Sequence, residues 1–206
     1  MLSTFSNVIL FWLKKVKEGF HDQATNLDRE KVLATAEKLA DEQGLEALTM
    51  PNLAKALDIR SQSLYNYVAN REEMVSLTGA RLMQQMYQQV VDGIIGLSGS
   101  KAYLKFADIV RDFLLAHASL SAILYHAQRF STDSAMYQEI KRMIKLVDQV
   151  VDVDGNRLIS SHVLVGAVLG YIFLETAPLY QDEDENAATV NYHQMLFRLI
   201  DPVEKA

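Results

Sequence analysis

The sequence predicts an all-α protein, and three observations carry that reading. Apolar residues recur at three- and four-residue spacing along almost the whole chain, and no stretch alternates convincingly with period two. Three prolines and nine glycines in 206 residues are too few for the turn density of a β-sandwich. Half of the residues are apolar and 22% are charged, which suits a buried core and not a disordered chain. Cysteine is absent, so disulfide frameworks, thiolate metal sites and a cysteine nucleophile are excluded, and a reducing, cytoplasmic setting is expected. The net charge of −6 argues against a protein that coats nucleic acid indiscriminately. It leaves room for a small local surface that reads DNA.

Residues 1–27 are expected to form an N-terminal extension with a short amphipathic helix. Val8 to Leu13 (VILFWL) is its apolar part, and Lys14, Lys15 and Lys17 follow. A secretory signal carries its positive charge before the apolar run, so none is expected; a weak membrane-surface anchor is the alternative. No run reaches the eighteen or so apolar residues of a membrane span, and no membrane partner is expected. From Asp28 the text DREKVLATAEKLADEQG reads as a helix with an acidic first turn and a glycine stop at Gly44. A short helix starts at Thr49, with Pro51 in its first turn, and a third spans roughly Ser61 to Val68. A fourth opens at Asn70, where Glu73 can reach back to the cap, and runs to about Val91 before Gly93, Gly96 and Gly99 break the chain. Further helices are expected at 101–117, 119–129, 134–151, 157–177 and 188–200, with a turn at Asp152–Asn156 and an acidic loop from Gln181 to Asn186.

The informative segment is Met50 to Ala69, MPNLAKALDIRSQSLYNYVA. Leu53, Leu57, Ile59, Leu64 and Tyr67 or Val68 occupy the apolar positions that let two short helices cross steeply, and the small Ala54 allows close approach. That is a helix-turn-helix pattern. Its second helix presents Ser61, Gln62, Ser63, Tyr65 and Asn66 outward, a face able to bond base edges and phosphates, bracketed by Arg60 and Arg71. A purely structural αα-hairpin is the competing explanation; it would need no polar, uncharged outer face.

Residues Asp28 to Leu77 resemble, without a gap, the DNA-binding head of the TetR-type transcriptional regulators. The similarity lies in a first helix ending in EQG, then LEALTMPNLAKALDI, then SQSLYNYVANREEMV. The resemblance implies that Tyr65 and Tyr67 contact phosphates. It implies that Ser61, Gln62, Ser63 and Asn66 face the major groove, that Thr49 caps the second helix near a phosphate, and that Arg71 binds backbone. The chain departs from the family at three places. Asp58 stands where a turn glycine is usual, Tyr67 replaces a histidine, and Pro51 falls where some members carry an arginine. The resemblance further implies a three-helix head at 28–75 followed by a helical domain for ligand binding and dimerisation at 76–206. It also implies a homodimer on a near-palindromic double-stranded operator, and an unidentified small-molecule effector.

Within 101–177, aromatic and methionine side chains with a few polar groups among them could line an effector pocket. The candidates are Phe106, Phe113, His117, His126, Met143, His162, Tyr171 and Glu175, each of which could equally be a core residue. From Val163 to Leu174 the helix is apolar all round, with Gly166 and Gly170 four apart. With Leu196 and Leu199 these mark the expected dimer interface. Asp152–Asn156 lacks EF-hand spacing: its glycine is fourth, and Val163 stands at the twelfth position. The histidines show no H-E-x-x-H, the serines no G-x-S-x-G, and no glycine-rich phosphate loop occurs. No metal, cofactor or enzymatic activity is therefore expected. The expectation is a DNA-binding regulator, most simply a repressor released by a ligand. A helical ligand-binding protein with a vestigial head is the rival, because residues 28–75 carry six basic and nine acidic residues.

Overall fold

In the computed structural model, residues 27–151, 159–180 and 184–200 are described, and among them every regular element is helical. Residues 1–26 of the N-terminal extension, the turn at Asp152–Asn156, the start of the helix expected at 157 and residues 181–183 of the acidic loop lie outside the described residues. Helices α1 (Arg29–Gln43), α2 (Met50–Ala56) and α3 (Ser61–Leu64) form a small head. The 24-residue helix α4 (Arg71–Ile94) is about 36 Å long and carries the chain from the head into the body. The body is completed by α5 (Gly99–Ala116), α6 (Ala118–Tyr125), α7 (Ala135–Val151), α8 (Ser161–Glu175) and α9 (Glu185–Ile200).

The apolar stripes read from the sequence turn inward. Tyr103, Phe106, Val110 and Phe113 of α5 and Met136, Met143 and Val147 of α7 are buried, and α4 packs against α5, α6, α7 and α1. One core therefore runs from head to body, with Val32, Leu53 and Leu64 at one end and Tyr192 and Leu196 at the other.

Several boundaries differ from the sequence expectation. Gly93 does not break α4. A Cβ there would collide with Ile109 Cδ1, so glycine serves the close approach of α4 to α5, and the break comes after Ile94. The helix α3 is only four residues long, followed by turns to Val68. The helix expected over 119–129 divides into α6 and a 3-10 turn at Ala127–Arg129. The helix α9 begins at Glu185, inside the expected acidic loop. Asp184 Oδ1 accepts from the Asn186 and Ala187 amides at 3.0 and 3.2 Å, so the acids start a helix instead of delaying it.

Candidate functional site

Two caps and one turn shape the outer face of the head. Thr49 Oγ1 accepts from the Asn52 amide at 3.3 Å and starts α2. The end of α2 is a Schellman turn: the Ile59 amide donates to the Ala54 carbonyl at 3.0 Å and the Asp58 amide to the Lys55 carbonyl at 3.2 Å. Such a turn needs a left-handed residue, and Asp58 supplies it at φ 54°. The chain leaves at an angle that lets α3 bury Leu64, with Val68 buried just beyond. Arg60, Ser61, Gln62, Tyr65 and Asn66 are exposed and Ser63 is half-buried. Tyr65 is a large aromatic that keeps 56% of its surface in solvent.

The acidic excess of the head is placed elsewhere. Glu30 and Glu37 both hold Arg81 of α4, the latter at 2.9 Å. Asp41 faces His117 and Ser119, Asp28 caps α1 through the Lys31 amide, and Glu73 accepts from the Ala69 amide at the start of α4. From Ile59 to Arg71 there is no acidic residue at all. The head is net acidic, but its recognition face is not. Lys55, exposed on the last turn of α2, adds a cation beside this face that sequence reasoning passed over, because the motif pattern places no demand on that position.

Two expected phosphate contacts have internal partners. The Tyr67 hydroxyl donates to the Leu27 carbonyl at 2.7 Å, tying the recognition segment to the entry of α1. Arg71 donates from Nε to the Leu48 carbonyl at 2.9 Å and from Nη2 to the Leu45 carbonyl at 3.1 Å, with Glu46 at 3.7 Å. Its residue remains exposed, so the guanidinium both fastens the head and borders its outer surface.

Between the helices of the body lies a cavity of about 70 Å³ whose fifteen lining residues are all aliphatic, methionine or aromatic. Of the effector candidates, Phe106 and Met143 line it. The others are held elsewhere. Glu175 is paired with Arg111 in a buried bridge, Nε to Oε2 at 2.9 Å, and this contact, more than any other, keeps the guanidinium pKa raised. Tyr171 donates to the Ala188 carbonyl at 2.7 Å, and Phe113 stacks on His117 at 4.3 Å between ring centres. His126 borders a separate groove with Arg71 and Arg129, and His162 is exposed near the start of α8. Tyr103 and two methionines of α4, Met83 and Met86, line the cavity instead. Periodicity identifies them as inward-facing, but it cannot distinguish a filled interior from a hollow one.

Of the interface candidates, Gly166 is exposed and Gly170 half-buried, and a Cβ built on either would meet nothing within 4 Å. Val163 and Leu174 extend this into an exposed apolar stripe along α8. On α9, Leu196 is fully buried in the chain's own core and Leu199 is partly buried against it. The exposed apolar residues of α9 are Val190 and Phe197. Among the described residues, no cluster of three or more histidine, aspartate or glutamate side chains is placed to hold a metal ion, and no helix is long and apolar enough to cross a membrane.

Comparison with known proteins bears directly on the head. Residues 32–77 match the family model of bacterial regulatory proteins, tetR family. Over 89 residues the chain is 24% identical to YobS, an uncharacterised HTH-type transcriptional regulator of Bacillus subtilis (strain 168); the match covers 43% of this chain and 47% of YobS. The chain thus spans about half the length of that relative. A TetR variant from Acinetobacter baumannii AYE in complex with minocycline superposes with a TM-score of 0.62 at 18% identity, covering 85% of this chain and 95% of its own. FadR, a fatty acid degradation regulator from Bacillus halodurans, does so with a TM-score of 0.65 at 12% identity, covering 89% and 100%. At such identities the likeness is one of fold, and it extends from the head through the body.

Proposed function

From the match of residues 32–77 to the tetR family model we propose a homodimeric repressor of that family that leaves its operator when a small molecule enters the body. One observation supports it above the rest: the exposed, acid-free face from Arg60 to Asn66, presented by a four-residue helix on a rigid turn. Ser61, Gln62 and Asn66 are the base readers in this proposal, and Tyr65, Arg60 and Arg71 hold phosphates. Residues 28–75 then act as the DNA-binding unit and 76–206 as the effector and dimerisation domain. The dimer is supported by the stripe Val163–Gly166–Gly170–Leu174 beside Val190 and Phe197. Paired about a two-fold axis, α8 and α9 would make a four-helix interface with glycines at the crossing. The TetR variant's complex with minocycline supports a small-molecule ligand for a chain of this fold.

The test is a shift assay with DNA flanking the protein's own gene. A near-palindrome with half-sites about one helical turn apart should be bound, with a log–log salt slope of about −0.9 per phosphate contact. Tyr65→Ala should weaken all sequences alike, whereas Gln62→Ala should alter preference among bases. Gly166→Leu should separate the protomers and abolish operator binding. Salt-independent binding, or no preference over random DNA, would favour the rival reading of a ligand-binding protein with a vestigial head, which the acidic excess of residues 28–75 supports.

A further inference from the structure

We infer that each half-site of the operator carries two adenines, no more than two base-pair steps apart, whose major-groove edges are read by the Gln62 and Asn66 carboxamides. This rests on the reading of the head as a DNA-binding unit and names the bases that it selects.

The first observation is direction. Helical turns continue beyond α3. The Tyr67 and Val68 amides both donate to the Leu64 carbonyl, at 2.8 and 3.0 Å, and the Asn66 amide donates to the Ser63 carbonyl at 3.3 Å. Leu64 and Val68, one turn apart, share the side of this segment that is buried in the head. At about 3.6 residues per turn, Gln62 and Asn66 share the opposite side, roughly 160° away, and both are exposed. They form the crest. Ser61 and Tyr65 stand on one flank and the half-buried Ser63 on the other. A helix entering the major groove brings its crest to the base edges and its flanks to the phosphate walls.

The second observation is the chemistry of that crest. A carboxamide offers one acceptor and one donor side by side, which matches adenine N6–H and N7 in two parallel hydrogen bonds. The crest holds no acid to accept from cytosine and no cation to fork onto guanine. Arg60 lies before the helix, at its N-cap. Nor does α2 add a reader at its first turn. Pro51 has no polar side chain, and Asn52 Nδ2 donates to the Ala47 carbonyl at 2.9 Å. Among the described residues, by contrast, neither the Gln62 nor the Asn66 carboxamide has a partner in the chain. The Ser61 and Ser63 hydroxyls can bond to any base, so the choice rests with the two carboxamides. Four residues of helix rise about 6 Å and base pairs stack at about 3.4 Å, which sets the limit of two steps.

The test is a selection of duplexes from a random-sequence pool by the full-length protein. The enriched half-site should contain the two adenines. Replacing either one by 7-deazaadenine keeps the base pair and removes the N7 acceptor. Binding should weaken about fivefold, the weight of one neutral hydrogen bond. Gln62→Ala should abolish that penalty at one adenine and leave it at the other, and Asn66→Ala should do the reverse. Both variants should keep the melting temperature of the parent, because each side chain is exposed. A carboxamide that touched only the backbone would weaken binding to every duplex and leave both penalties in place, which overturns the inference. So does an enriched half-site without the two adenines, one indifferent to 7-deazaadenine, or one whose base choice is relaxed by Arg60→Ala and not by Gln62→Ala. In all of these the head still reads DNA. A pool that yields no enriched sequence sinks the DNA-binding reading together with the adenines, so the two failures are told apart.

Discussion

Asp58 shows how much of the site rests on one backbone angle. At φ 54° it closes the Schellman turn that aims α3, in a conformation that costs most side chains about 1–2 kcal/mol relative to glycine. Aspartate lowers that cost but does not remove it. Asp58→Gly is therefore expected to raise unfolding stability by up to about 1 kcal/mol while leaving operator affinity within twofold, measured by urea unfolding and by the shift assay. A loss of stability would mean that the Asp58 carboxylate makes a contribution beyond its backbone. Tyr67 and Arg71 teach the opposite lesson at the same scale. The sequence shows an aromatic hydroxyl and a guanidinium at positions the family resemblance gives to phosphate. The acceptors turn out to be the Leu27, Leu48 and Leu45 carbonyls, the last within and Leu48 just after a 3-10 turn at Leu45–Ala47 that no periodicity announces. Arg111 is a further case. Its partner Glu175 lies 64 residues away, so nothing local distinguishes it from a solvated arginine.

At the scale of elements, what was legible were the helices whose stripes are bounded by caps. Asp28, Thr49 and Asn70 each accept from an amide three residues on, and the helices begin there. Gly93 departs from its expected break because packing outranks propensity. It sits inside α4, as Gly79 does, and each marks a crossing with a neighbour. At Gly79 a Cβ would lie 2.8 Å from Met136 Sδ and 3.0 Å from Ile123 Cγ2, so α4 is pressed there against both α6 and α7. Gly79→Val is expected to cost about 1–3 kcal/mol through overpacking, seen as a lower melting temperature with the head's far-ultraviolet signal retained. An unchanged melting temperature would show that Met136 and Ile123 yield freely, and that the crossing is looser than its distances suggest. The cavity was not legible for a related reason. Tyr103, Phe106 and Val110 follow the same heptad-like spacing whether or not space remains between the helices, and a void is a property of five elements together. The exposed polar face from Arg60 to Asn66 was legible because it is local: four residues of helix, one turn and no acid.

Across the whole molecule a filled cavity in the body can act on the head only through contacts that join the two, and Asp41 makes one of them. It sits near the end of α1 and is half-buried. Its Oδ2 meets His117 Nδ1 at 2.9 Å, and its Oδ1 accepts from the Ser119 amide at 3.2 Å and from the Ser119 hydroxyl. A head residue thereby caps the first turn of α6, a helix whose own N-cap, His117, provides no side-chain cap. His117 directly follows α5, and α5 presents Tyr103, Phe106, Val110 and Leu114 to the cavity. Displacement of α5 by a ligand would move the junction at His117, and Asp41 would transmit that movement to α1. Switching an operator from 99:1 occupied to 1:99 requires about 5.5 kcal/mol of differential binding, and allosteric coupling between two sites is commonly 1–3 kcal/mol in each direction. Two equivalent fastenings in a dimer bring the second range to the first. Asp41→Ala should cost about 1 kcal/mol of global stability as a lost cap and speed hydrogen exchange at Ser119 and Leu120. Operator affinity without ligand should change little, while the loss of affinity caused by a bound effector should shrink several-fold. Ligand release of the same size in the variant would remove Asp41 from the path and turn attention to Glu30 and Glu37 of α1, which Arg81 and Gln85 of α4 hold.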